Sequence, residues 1–174
     1  MYVYSEDVKQ TCAINGTYAE ELFVKTYLQK FGNEPKKTTV DEDRYNHQDY
    51  RFILGSNTVT CDVKYPKKIS RHDQTFSSEY LWVEYQTKGY TGWLFGKQDY
   101  LAFLMPDLKT FKLVKREELV AVCNQLVQKL SPVFYPDEAL YKMYHRHNRF
   151  DYGDDLLSLI KYEDLDKCPS NITF

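Results

Sequence analysis

The stretch of residues 49–64, DYRFILGSNTVTCDVK, decides the fold that we predict for this chain of 174 residues. Two apolar-rich runs, 50–54 and 58–65, enclose the tripeptide Gly55-Ser56-Asn57, a pattern typical of a β-hairpin and its turn. Side chains alternate between the two faces of a strand, so Asp62 and Lys64 share the polar face of the second run. The sequence therefore predicts a hairpin with acidic and basic side chains at one end.

Regular elements are also predicted on both sides of the hairpin. Before it, an apolar stripe predicts a helix over residues 17–31, and a short strand is predicted near residues 37–40. After it, strands are predicted over 79–87 and 110–114, a strand or a helix over 99–105, and helices over 116–130 and 138–149. An apolar run at 156–160 is expected to dock on the rest of the protein. This order favours an α/β (α+β) fold with a mixed central β-sheet flanked by helices.

Length and composition limit the class of protein. A chain of 174 residues, with 43% hydrophobic and 28% charged residues, is typical of one globular domain. We expect a core domain over residues 1–130 and a C-terminal helical extension over 131–174 packed on the same domain. The net charge of −2 gives no general attraction to polyanions, so a nucleic-acid surface requires local clusters of positive charge.

Compartment is inferred from what the sequence lacks. No run approaches the ~18 apolar residues of a membrane span, and the first residues do not read as a secretory signal. The four cysteines are far apart and form no C-x-x-C pair: Cys12, Cys61, Cys123 and Cys168. We therefore expect reduced thiols, a cytoplasmic location and no membrane partner.

Three carboxylates and one lysine form the candidate site. Asp49 and Asp62 flank the same hairpin and can converge at one of its ends, and Glu20 lies on the apolar stripe of the first helix. Carboxylate oxygens, with a backbone carbonyl such as that of Val63, are ligands that Mg²⁺ prefers. Lys64 could orient the attacking water or stabilise the charge that develops on a phosphate. These groups are the ones that phosphodiester hydrolysis requires.

The same residues resemble the motif of the PD-(D/E)XK nuclease superfamily, which includes restriction enzymes, Holliday-junction resolvases and phage nucleases. The matching pieces are GTYAE at 16–20, DYRFI at 49–53 and CDVK at 61–64, and the span 92–119 is similar to the region that follows the motif in resolvase-like members. The resemblance covers roughly residues 14–125, and Gln48 stands where the family has proline. It implies a restriction-endonuclease-like core, in which Asp49, Asp62 and Glu20 bind the metal and Lys64 serves the water or the transition state.

Each site residue also has a structural interpretation. Glu20 follows Thr17 by three residues, which is the spacing of a helix-capping box. Asp49 could be a turn residue, and Asp62 and Lys64 could form a solvated strand face. The coincidence of Asp49, Asp62 and Lys64 is more specific than any one of them.

Positive charge is clustered next to the hairpin and in one later segment. The candidate DNA contacts are Lys67, Lys68, Arg71, Lys88, Trp93 and Lys97. Trp93 could equally be a core residue. Glu84 and Gln86 share one face of the strand over 79–87 and could reach the site, but the pattern favours an exposed sheet face.

The sequence therefore predicts a Mg²⁺-dependent endonuclease (with Mn²⁺ as a substitute) that hydrolyses DNA, with branched or junction DNA as a candidate substrate. Cutting both strands favours a homodimer. No nucleotide cofactor is expected, because the phosphate-binding glycine motifs are absent. The alternative is a non-catalytic module that binds nucleic acid or protein, such as an accessory protein of a virus or mobile element.

Overall fold

The computed structural model describes residues 6–70, 72–147 and 153–174, with side chains from residue 14 onward. Its α-helices are α1 (Glu6–Phe31), α2 (Val40–Asn46) and α3 (Arg116–Leu126). Short 3-10 helices cover Trp93–Phe95, Pro136–Glu138 and Tyr162–Lys167. None of the helices in these ranges is both long and apolar enough to cross a membrane.

Eleven strands in the described part of the chain form two mixed sheets. They are β1 (Lys36–Lys37), β2 (Tyr50–Leu54), β3 (Asn57–Lys64), β4 (Tyr80–Thr87), β5 (Tyr90–Thr91), β6 (Tyr100–Leu104), β7 (Phe111–Lys115), β8 (Gln128–Val133), β9 (Lys142–Arg146), β10 (Asp155–Lys161) and β11 (Ile172–Thr173). The first sheet has the order β1-β2-β3-β6-β7-β11, and the second has the order β5-β4-β10-β9-β8. The predicted mixed α/β architecture is confirmed at this level.

The hairpin is confirmed with the predicted faces. β2 and β3 pair antiparallel, with Tyr50 opposite Cys61 and Leu54 opposite Asn57, so Gly55 and Ser56 form the turn. Gly55 has a φ of 62°, a conformation that glycine adopts without steric cost. β3 then pairs in parallel with β6, which places the hairpin inside the first sheet.

The first sheet is buried on both faces. Cys61 and Ala102 pack under α1 against Phe23 and Tyr27. The opposite face packs on β4, β10 and α3, and Phe103 belongs to that second core cluster. Because side chains alternate along β3, Asp62 and Lys64 point away from α1, toward the second sheet.

The first helix starts earlier than predicted. α1 begins at Glu6, so Thr17 lies inside the helix and does not cap it. The capping-box interpretation of Glu20 is therefore wrong. The capping box is found instead at α2, where the Thr39 side chain accepts from the Glu42 N–H and the Glu42 carboxylate accepts from the Thr39 N–H. That signal lies within the segment where we predicted only a strand, which is confined to Lys36–Lys37.

The C-terminal region is not helical as predicted. α3 ends at Leu126, and the helix predicted over 138–149 is wrong, because Pro136–Glu138 is a 3-10 turn and β9 follows it. The last residues of that prediction, 148 and 149, lie outside the described residues. The apolar run at 156–160 docks as expected, as part of β10, which pairs with both β4 and β9. Residues after 127 therefore supply strands to both sheets.

Candidate active site between the two sheets

Asp49 and Asp62 meet at the open end of the hairpin. Asp49 directly precedes Tyr50 and Asp62 directly follows Cys61, and these two neighbours are paired across the hairpin. Both acids are buried, with relative exposures of 7% and 4%. The Asp49 N–H donates to the Cys61 carbonyl at 2.8 Å, which continues the pairing by one residue. The structure thus brings together the two acids that the sequence singled out.

Asp49 has only partial compensation for its burial. Its Oδ2 accepts a hydrogen bond of 2.7 Å from the Val63 N–H. No donor within the described ranges reaches its other carboxylate oxygen. Burial and then the charge of Asp62 raise the pKa of Asp49 to about 8, against the opposing effects of the Val63 N–H and Lys64. A second positive charge at this position would favour the ionised carboxylate.

Lys64 lies directly against the acid pair. Its Nζ is 2.6 Å from Asp62 Oδ2 and 5.2 Å from the centre of the Trp93 ring. Burial acts to lower the pKa of Lys64, but the charges of Asp62 and Glu84 outweigh it and raise that pKa. Asp62 Oδ2 is fully buried and, within the described residues, has no contact with the geometry of a hydrogen bond. The Lys64 contact is therefore an ion pair that leaves this oxygen without a well-directed donor.

Glu84 reaches the site from β4 of the second sheet. Its carboxylate pairs with Lys67 at 3.0 Å, and its side chain is 19% exposed. Although burial acts to raise the pKa of Glu84, Lys67 and Lys64 lower it. The sequence favoured an exposed sheet face for Glu84, whereas its side chain is mostly buried and paired with Lys67. Alternation along one strand shows which residues share a face, but it does not show which segments of the chain cover that face.

Glu20 is held in a different contact. It pairs with Lys37 and accepts a hydrogen bond of 3.4 Å from the Tyr50 hydroxyl, on the side of the first sheet that α1 covers. Among the described residues, no three His, Cys, Asp or Glu side chains converge into a group that could hold a metal ion. Glu20 is thus not brought into one ligand set with Asp49 and Asp62.

The donor chemistry at the acid pair nevertheless fits a divalent cation. Two buried carboxylates next to the backbone of Val63, of which Asp62 Oδ2 lacks a well-directed donor among the described residues, are a small set of hard oxygen ligands. Mg²⁺ is commonly bound by one or two protein carboxylates, with water filling the other positions. The set available here is Asp49, Asp62 and the predicted Val63 carbonyl.

The predicted DNA contacts divide into three groups. Four lysines are exposed and available to solvent: Lys67, Lys68, Lys88 and Lys97. Trp93 is only 2% exposed and packs edge-on against Phe103, so the prediction that it stacks on a nucleic-acid base is corrected. It is a core residue whose ring lies beside Lys64. Arg71 lies outside the described residues.

A shallow cleft separates the two sheets beside Lys64. Its cavity volume is only about 20 Å³, and it is lined by Lys64, Tyr65, Lys67, Leu81, Trp82, Trp93, Phe103 and Tyr162. Two ammonium groups therefore border a mainly aromatic cleft. Asp62 lies on the same face of β3 as Lys64.

The described cysteine side chains are separate from the site's chemistry. Cys61, Cys123 and Cys168 are buried free thiols. Burial raises the pKa of Cys123 and of Cys168 to about 12, which makes them unreactive at neutral pH. The side chain of Cys12 lies outside the described part.

Comparison with protein-family models, with curated proteins and with solved structures returns no match. The resemblance to the PD-(D/E)XK nucleases therefore rests on the three short motifs.

Proposed function

We propose that the protein is a Mg²⁺-dependent endonuclease that hydrolyses phosphodiester bonds in DNA, with Mn²⁺ as a substitute. One observation supports this most strongly: Asp49 and Asp62 are buried together at the end of one hairpin, with Lys64 against Asp62. Burying two like charges side by side is costly unless a cation or a proton compensates them. A pair of acids that is buried in spite of this free-energy cost is a candidate functional site.

In this proposal Asp49 and Asp62 hold the ion together with the carbonyl of Val63. When bound, Mg²⁺ would supply the positive charge that acidifies a water and neutralises the phosphoryl oxygens. Lys64 keeps its ammonium charged within the site, because the carboxylates around it favour the charged form. Its role is to stabilise the negative charge that develops on the phosphate during attack.

The exposed lysines mark the surface on which a DNA strand would lie. Lys67 and Lys68 follow the end of β3 by three and four residues and are exposed, and Lys67 lines the cleft. Contacts of this kind hold phosphates without reading base sequence. We propose DNA as the substrate, with branched DNA as a candidate, and a homodimer as the form that cuts both strands.

The decisive experiment incubates the purified protein with linear duplex, single-stranded and four-way-junction DNA in EDTA, Mg²⁺ or Mn²⁺. We expect cleavage of at least one substrate with metal and none in EDTA. Asp62→Asn should abolish cleavage with its circular dichroism unchanged, because it removes one of the two acidic ligands.

Asp137→Asn is the matched control, because it makes the same change at an exposed acid outside the site. It should cleave like the unsubstituted protein. Equal activity of the Asp62→Asn and unsubstituted proteins would rule out the proposed site.

The second candidate is a non-catalytic module that binds nucleic acid or protein. The ion pair between Lys64 and Asp62 favours it, because an internal cation already compensates one of the two acids. Under this alternative, metal titration calorimetry shows no uptake of Mg²⁺ and DNA is bound without being cut.

A further inference from the structure

Glu84 brings the second sheet into the site. It lies on β4, which is not part of the sheet that contains Asp49, Asp62 and Lys64. Its carboxylate is 3.0 Å from the ammonium of Lys67, and its other oxygen is 3.4 Å from the Thr87 hydroxyl. Lys67 follows β3 by three residues and lines the same cleft as Lys64. The contact therefore ties Lys67, which lines the cleft, to β4 of the second sheet.

The backbone of Glu84 is fixed by close packing. A side chain at Gly92 would collide with the carbonyl group of Glu84, so only glycine fits at this crossing. The Gly92 N–H donates to the Tyr85 carbonyl at 3.0 Å, which holds the two segments together. Trp93 follows directly, and its ring lies beside the Lys64 ammonium. Glu84 and the ring next to Lys64 are thus attached to one rigid unit.

We propose that Glu84 is a positioning residue of the endonuclease, which holds Lys67 at the cleft beside Lys64 so that both ammonium groups face one phosphate. This inference rests on the proposed function and extends it to a residue from the second sheet. Lys67 is 55% exposed in its side chain, so it can donate to a phosphate and to Glu84 at the same time.

The charge arrangement explains why an acid is useful at this position. Burial acts to raise the pKa of Glu84, but the charges of Lys67 and Lys64 outweigh it and lower that pKa, so Glu84 remains ionised at neutral pH. When Asp62 serves as a metal ligand, its attraction for Lys64 is shared with the ion. The negative charge of Glu84, which would not bind the ion, would then continue to attract the Lys64 ammonium.

The test measures DNA binding and DNA cleavage separately for Glu84→Gln. Removing this acid takes a negative charge from the DNA surface but releases Lys67 and Lys64 from their fixed positions. We expect the dissociation constant for a labelled four-way junction in Ca²⁺ to be unchanged or about threefold lower, since the positive surface gains one net charge. We expect kcat in Mg²⁺ to fall by about tenfold or more, since misplaced groups cost rate rather than affinity.

Unchanged or tighter binding together with slower cleavage would indicate that Glu84 positions Lys67. If Glu84 only stabilised the fold, Glu84→Gln would weaken binding and cleavage together and would lower the melting temperature. Glu79→Gln, at an exposed acid just before β4, is the matched control and should resemble the unsubstituted protein in both assays. Glu84→Asp, which keeps the charge, should recover part of kcat. The inference is overturned if Glu84→Gln behaves like Glu79→Gln, or if it loses binding and stability together.

A double-mutant cycle keeps the inference testable if the proposed function fails. If the unsubstituted protein binds the junction but does not cut it, Lys67→Gln should weaken binding by about 3–10-fold through a lost phosphate contact. Glu84→Gln should change the size of that loss, because Glu84 holds Lys67 in the position from which it contacts the phosphate. Additive effects of the two substitutions would reject the role of Glu84 in positioning Lys67.

Discussion

Asp164 and Asp49 are both buried acids, but their surroundings differ in kind. Asp164, in the 3-10 helix Tyr162–Lys167, is 1% exposed and accepts hydrogen bonds from the Tyr141 hydroxyl at 2.8 Å, the Lys161 N–H at 2.9 Å and the Lys167 ammonium at 2.6 Å. Asp49 accepts one side-chain hydrogen bond, from the Val63 N–H. These donors lower the pKa of Asp164 against its burial, whereas burial and Asp62 raise the pKa of Asp49.

This difference separates a structural acid from a functional candidate. A buried carboxylate with donors on both oxygens stabilises the fold, because its charge is fully compensated. A buried carboxylate that faces another acid destabilises the metal-free protein and is retained only where it serves another purpose. The comparison predicts opposite effects when the charge of each acid is removed.

The largest expected effect compares two lysines: Lys64, which pairs with Asp62 beside Asp49, and Lys167, which pairs with Asp164. Lys64→Gln should lower Mg²⁺-dependent cleavage by about 10²–10³-fold, because it removes a charged donor from the position where negative charge develops. Lys167→Gln makes the same change at the partner of Asp164 and should leave cleavage unchanged. The measurement is single-turnover cleavage of the DNA that the unsubstituted protein cuts best.

Equal losses in the two variants would break the comparison, because they would show that cleavage responds to general stability rather than to Lys64. Melting temperatures of both variants distinguish these outcomes. An unchanged rate for Lys64→Gln would remove Lys64 from the proposed site.

The next effect concerns stability at the compensated acid. Asp164→Asn should reduce the free energy of unfolding by about 2–4 kcal/mol, because an amide group replaces one acceptor oxygen and leaves a buried donor unpaired. Since the pKa of Asp164 is lowered, its contribution is present above its ordinary value and is lost as the pH falls through the folded pKa. Urea unfolding of both proteins at neutral and acidic pH measures this. A difference within about 0.5 kcal/mol at neutral pH would contradict it.

The elements that could be predicted from the sequence are those whose signal is local. Apolar and polar residues alternate along β3 and a glycine lies in the turn, and the structure has the hairpin that these two signals predict. β9, which pairs with β10, was missed because KMYHR contains no apolar alternation. α2 is too short for an apolar stripe, and only the capping pair Thr39 and Glu42 marks it.

The candidate site was predictable only within one hairpin. Asp49, Asp62 and Lys64 were found because the strand register alone brings them together. Glu84 of β4 pairs instead with Lys67, 17 residues earlier in the chain, and no local pattern predicts that contact. Trp93 was ambiguous for the same reason, because an aromatic residue after a glycine is typical of both surfaces and cores. Its 2% exposure is a property of the assembled fold.

The smallest expected effect concerns the uncompensated acid. Asp49→Asn should raise the free energy of unfolding in EDTA at pH 8 by about 1–2 kcal/mol, because it removes a charge that is buried beside Asp62. A pKa raised in the folded state means that the folded protein binds more protons than the unfolded chain. The stability of the unsubstituted protein should therefore decline as the pH rises from about 4, the ordinary carboxylate value, toward 8.

Adding Mg²⁺ to the same unfolding measurement gives a second test of Asp49. At a concentration about tenfold above its dissociation constant it should stabilise the unsubstituted protein by about 1.4 kcal/mol at pH 8 and leave Asp49→Asn nearly unaffected, because the variant lacks one acidic ligand. Urea unfolding at pH 5 and pH 8, with EDTA and with Mg²⁺, separates the two contributions. If Asp49→Asn is less stable than the unsubstituted protein at both pH values in EDTA, then Asp49 is a compensated acid like Asp164. The contrast between the two acids, and with it the main argument for a metal at this hairpin, would not hold.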